Sequence, residues 1–136
     1  MTTDSKIEST LTIDAESAYI DSKVISQMSD DVSAEMLPEM LELFVIENAK
    51  ILNQIDQLLA SRNIVELKNQ SHALKGSAAT FGAALLTPLA EKLEHSCQQG
   101  NTEDAEAFAK QVIEVGRKTL DIYNNRFNLK CLVNFQ

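Results

Sequence analysis

Apolar residues between Leu37 and Leu59 recur at the period of an α-helix: Leu37, Met40, Leu41, Phe44, Ile51, Leu52, Ile55, Leu58 and Leu59. A stripe with that spacing covers one side of a helix and needs other surfaces to bury it. It predicts a helix over about residues 34–60. Pro38 lacks a backbone N–H and is comfortable only near a helix start, so the first turn is expected near Leu37. Three more segments read the same way. One spans 64–81, with Leu67, Leu74, Ala78 and Phe81 on its apolar side and Gly82 just past its end. The next starts near Leu85, carries Leu86, Leu89, Ala90, Leu93 and Cys97, and stops at Gln99-Gly100. Asn101 caps the last, with Asp104 in its first turn and Ala105, Phe108, Val112, Val115, Leu120 and Tyr123 facing inward. A shorter helix over 22–28, capped by Asp21, precedes them, and Ser29-Asp30-Asp31 is expected to end it.

Four amphipathic helices with short connections predict an all-α, antiparallel up-down-up-down four-helix bundle with a short additional N-terminal helix. With 4 Gly and 2 Pro in 136 residues, turn signals are too sparse for many short strands. Residues 1–18 are polar and expected to form a disordered arm. Residues 19–127 form the bundle, and 128–136 a C-terminal tail that either packs or hangs. The net charge of −8, without a basic stripe, argues against nucleic acid or an anionic membrane as partner. The N-terminus has no basic region followed by an apolar run, and no apolar stretch reaches membrane-spanning length. Cys97 and Cys131 follow no metal-ligand spacing, so no metal site is expected, and isolated thiols fit a reducing, cytoplasmic setting.

The third predicted helix holds the chemistry. On it His72 lies well away from the apolar side and faces water. Gly76 follows four residues on, on the same face, although an interior glycine costs about 1 kcal/mol relative to alanine. Lys68 and Lys75 add positive charge nearby. An exposed imidazole with bare backbone beside it and two cations around it suits a phosphoryl acceptor. His95 is also exposed but has neither the glycine nor a lysine three residues on, and receives no role. No Ser-His-Asp order, Gly-rich phosphate loop or acid–base carboxylate dyad stands out.

The run His72-Ala73-Leu74-Lys75-Gly76-Ser77-Ala78-Ala79 resembles the signature of the histidine-containing phosphotransfer family: histidine, any residue, Leu, Lys, Gly, then small residues. Gly82-Ala83 and the Leu93-Glu94 pair on the next helix match further elements of it. The resemblance covers roughly residues 20–126 and implies the same four-helix bundle. It also implies a carrier in a multistep phosphorelay. His72 would accept a phosphoryl group from a receiver-domain aspartate and pass it to another. The chain would be no enzyme with its own ATP site, and would bind no cofactor itself, Mg²⁺ being expected on the receiver. Lys75, the family's lysine, would hold a phosphoryl oxygen or a partner carboxylate. Partners would be response regulators or the receiver of a hybrid sensor kinase, met by a monomer. Helical geometry puts Val65, Lys68, Asn69 and Ala79 on the docking face with His72 and Gly76. Two rivals fit less well. A histidine-kinase dimerisation pair would show an acidic residue after the histidine and a nearby proline, whereas Ala73 follows and Pro88 is distant. An inert helical adaptor would not accept phosphate.

Overall fold

The computed structural model describes residues 16–129. Five helices are named here: α1 (Ser22–Asp31), α2 (Met36–Ser61), α3 (Ile64–Thr80), α4 (Leu86–Gln98) and α5 (Thr102–Arg126). Helices α2 to α5 form the bundle, each packing on its sequence neighbour, with α5 closing the ring against α2. Short connections force neighbouring helices to run antiparallel.

Each boundary has a local cause. Pro38 is the third residue of α2, where no helical hydrogen bond is lost. Arg62 ends α2 in the left-handed region at φ 57°, and Asn63 then caps α3 by accepting from the Glu66 N–H at 3.2 Å. Asn101 does the same for α5, accepting from the Asp104 N–H at 3.1 Å. The expected stop at Ser29-Asp30-Asp31 does not occur. Helix α1 continues through Asp31 and is closed by the Val32 N–H donating to Met28 O at 3.1 Å.

The core is built from the expected stripes. Leu41, Phe44, Leu52, Ile55, Leu67, Leu74, Ala78, Leu86, Leu93, Val112, Leu120 and Tyr123 are all buried. Phe44 lies against Phe81 and Tyr123, with ring centroids 4.7 and 4.9 Å apart. The Tyr123 hydroxyl donates to Phe81 O at 2.8 Å and so holds the C-terminal end of α3. Burial pushes the Tyr123 phenol well above its usual range, so it remains a donor.

The ends of the bundle differ from expectation. Residues 1–15 of the expected disordered arm lie outside the described residues, but 16–18 belong to a short helical stretch, and Glu16 pairs with Arg126 at 3.7 Å. Residues 19–21 are stitched to the α3–α4 connection. Ile20 forms an antiparallel bridge with Ala83, Asp21 N–H donates to Gly82 O at 2.7 Å, and Ala84 N–H donates to Tyr19 O at 2.9 Å. Gly82 is required there. Its φ is +77°, and a Cβ would lie 3.0 Å from Val24 Cβ and 3.1 Å from Asp21 O. Of the expected tail, Leu129 is buried and its N–H donates to Asn124 O at 2.9 Å, so packing continues past residue 127. Residues 130–136, with Cys131, lie outside the described residues.

Candidate functional site

Helix α3 buries Leu67, Ser71, Leu74 and Ala78 and turns its other side to water. Ser71 is neutralised locally, its hydroxyl donating to Lys68 O at 2.8 Å. On the open side stand Val65, Lys68, Asn69, His72, Gly76 and Ala79, all exposed. The His72 side chain is 69% exposed. A Cβ built on Gly76 would meet nothing within 4 Å, so the surface beside the imidazole is open. Lys75 stands at the border of this face, half-buried.

Helix α4 supplies what the sequence reading did not assign. Glu94 is buried between α3 and α4, with its side chain 9% exposed. Its Oε2 lies 2.6 Å from His72 Nδ1, and its Oε1 accepts from Lys75 Nζ at 2.7 Å. Both carboxylate oxygens are therefore used, which a buried carboxylate requires. The Lys75 hydrogen bond, with a smaller contribution from His72, holds the Glu94 carboxyl below the usual carboxylate range against the opposing effect of burial. The same hydrogen bond raises Lys75 above its ordinary value. Glu94 is therefore ionised at neutral pH and can only accept, so His72 Nδ1–H donates the hydrogen bond to Oε2. Nε2 is the ring nitrogen that Glu94 does not engage. Glu94 was present in the sequence only as half of the Leu93-Glu94 pair. The stronger signal was its place within the buried stripe of α4, between Leu93 and Cys97.

A second buried polar contact ties α3 to α2. The Asn48 amide donates to Ser77 Oγ at 2.9 Å and to Phe44 O at 2.7 Å. It fixes α3 one residue beyond Gly76. Among the described residues, no group of His, Cys, Asp and Glu is arranged to hold a metal ion.

The Hpt domain family model matches residues 39–121, most of the bundle. The chain belongs to the Hpt domain family. This Hpt chain is 30% identical over 104 residues to the phosphorelay protein LuxU of Vibrio vulnificus, covering 76% of the chain and 90% of that relative. It is 27% identical over 89 residues to histidine-containing phosphotransfer protein 4 of Arabidopsis thaliana, covering 62% and 70%. The histidine-containing phosphotransfer protein B of Pseudomonas aeruginosa shares its fold, with a TM-score of 0.75 at 22% identity, covering 81% and 95%. The expected bundle and the expected family both hold. The Hpt chain is a histidine phosphotransfer protein of a phosphorelay. Among the described residues, none of its helices is long and apolar enough to cross a membrane.

Proposed function

We propose that His72 is the phosphoryl acceptor and that Nε2 is the attacking atom. One observation carries the reading: a buried carboxylate occupies Nδ1 at 2.6 Å while the ring stays exposed. That arrangement fixes one tautomer and presents the other nitrogen's lone pair to an incoming group. In the transfer, the Nε2 lone pair forms the P–N bond as the P–O bond to a receiver aspartate breaks. The electrons of that bond leave with the receiver's carboxylate. The proton on Nδ1 stays in its bond to Glu94, which balances the charge the ring gains, much as a triad carboxylate supports its imidazolium. Return to a second receiver is the reverse step.

The chain acts as a carrier in the cytoplasm, as a monomer. The divalent cation and the remaining catalytic groups belong to the receiver. The receiver covers the face holding Val65, Lys68, Asn69, His72, Gly76 and Ala79. Val65 is 70% exposed, which gives a docking partner apolar surface to bury.

The test is transfer of radiolabel from a phosphorylated receiver to the wild-type protein and to His72→Gln. The wild type becomes labelled on histidine and the variant does not. His72→Gln keeps the helical circular-dichroism signal and changes stability by about 1 kcal/mol or less, because the ring is exposed and the glutamine amide N–H can still donate to Glu94 Oε2. Label on a histidine of His72→Gln would transfer the role to His95 and refute the proposal.

A further inference from the structure

This inference rests on His72 as the acceptor and concerns Lys75. The family resemblance gives that lysine a phosphoryl oxygen or a partner carboxylate to hold. In the structure its ammonium already has a partner within the chain, Glu94 Oε1 at 2.7 Å. The opposite oxygen of the same carboxylate faces His72 Nδ1 at 2.6 Å. One buried carboxylate is thus shared between an ammonium and an imidazole.

The sharing matters for the ring. A lone, desolvated carboxylate against an imidazole favours the ion pair, and the imidazolium so formed has no lone pair on Nε2. A fixed ammonium on the other oxygen offsets most of that negative charge. The carboxylate still accepts the Nδ1 hydrogen bond, and the tautomer is still fixed. We propose that Lys75 is a positioning residue acting through Glu94: it balances the carboxylate so that Glu94 orients His72 without holding it as imidazolium.

The surrounding charges fit that division of labour. On α3, Lys68 is exposed on the same side as His72, and its charge is felt at Cys97. On α4, Glu91 acts on Lys75 more weakly than Glu94 does. Cys97, one turn beyond Glu94, has its thiol pushed up by burial and stays neutral. The contact from α2 to this part of α3, the Asn48 amide on Ser77, is uncharged. The strongest coupling in the group is therefore the Lys75–Glu94–His72 chain.

The experiment uses Lys75→Met, Lys75→Arg, Glu94→Gln and the double variant Lys75→Met/Glu94→Gln. A glutamine oxygen can still accept the Nδ1 hydrogen bond but brings no charge. The ¹⁵N spectrum of the His72 ring at pH 7, with no phosphoryl donor present, reads charge and tautomer directly. Lys75→Met raises the imidazolium fraction several-fold, and Lys75→Arg leaves it near the wild-type value. Label acceptance by Lys75→Met falls by roughly two- to four-fold at pH 7, in step with the loss of the neutral ring, and the acid limb of its rate–pH profile moves to higher pH. Adding Glu94→Gln returns the ring to the neutral form and restores acceptance to the level of Glu94→Gln alone. Either of two results overturns the proposal: an unchanged imidazolium fraction in Lys75→Met, or a double variant no faster than Lys75→Met. The second is what a lysine holding the phosphoryl oxygen would give. The ring spectrum needs no transfer, and the identity of the acceptor is read separately from His72→Gln, so a failure of this inference is distinct from a failure of the function.

Discussion

Gly76 sits in the middle of α3, one helical turn beyond His72, in a position where the fold asks nothing of a glycine. Its backbone is helical, its carbonyl accepts from Thr80 Oγ1 at 2.9 Å, and a Cβ there would touch nothing within 4 Å. Gly76→Ala therefore adds no strain and buries no new surface. What remains is the backbone contribution. An interior helix glycine is worse than alanine by about 0.8–1 kcal/mol, so the variant should be more stable by about that amount. For a domain of this size the melting temperature should rise by roughly 3–5 °C. Urea denaturation gives the free energy and a circular-dichroism melt gives the midpoint. Because the new methyl lies beyond 4 Å of the imidazole, Gly76→Ala should accept phosphate at close to the wild-type rate. Gly76→Gln should be stabilised almost as much, since glutamine is also a good helix former, yet transfer slowly because its side chain reaches over the open surface. If Gly76→Ala is no more stable than wild type, the glycine serves the fold in a way this geometry lacks. If Gly76→Gln is stabilised and transfers normally, the openness beside His72 has no part in docking.

Gly116 gives the opposite result. A Cβ there would lie 2.6 Å from Leu52 Cδ2, so Gly116→Ala must displace the buried Leu52 side chain or part the two helices. It should destabilise by about 1–3 kcal/mol in urea denaturation, and an unchanged midpoint would mean that the Leu52 side chain repacks without cost. Lys68→Glu should slow association with a phosphorylated receiver, by an effect that shrinks as salt rises, in stopped-flow measurements. Lys110→Glu, on the exposed side of α5 beside Glu106, is the control and should leave association unchanged. Equal effects from the two would show that only net charge matters.

The sequence carried the helices and the acceptor because both are written locally. Apolar spacing names α2 to α5, and Asn63, Gly82 and Asn101 sit where caps and left-handed positions fall. His72 and Gly76 share a face by helical arithmetic alone. What stayed hidden depends on which helix faces which. Glu94 lies twenty-two residues from His72, and only the antiparallel setting of α3 on α4 joins them. Asn48 and Gly116 lie on the inward faces of α2 and α5, where a reading of apolar spacing passes over polar and side-chain-free residues. A buried amide or carboxylate within an apolar stripe does announce that a partner exists, since burying it with none is costly. It does not say on which helix. The extra turn of α1 and the packing of Leu129 were likewise invisible, because each depends on a single closing hydrogen bond rather than on periodicity.

The stretch that the family model spans is shorter than the stretch that holds this molecule together. The family match begins at residue 39 and ends at 121. It keeps His72, Lys75, Gly76 and Glu94, but Tyr123 lies beyond its end, and the strand-like strap at residues 19–21 lies before its start. Both attach to the same place, the turn where α3 ends and the chain doubles back toward α4. Anyone transplanting this module into a chimeric signalling chain, or trimming it for a sensor, would meet the consequence at once. A graft cut at residues 39 and 121 carries the reactive ring and its carboxylate on two helices whose hinge has lost both fasteners. A graft running from residue 19 to 129 carries the hinge with them.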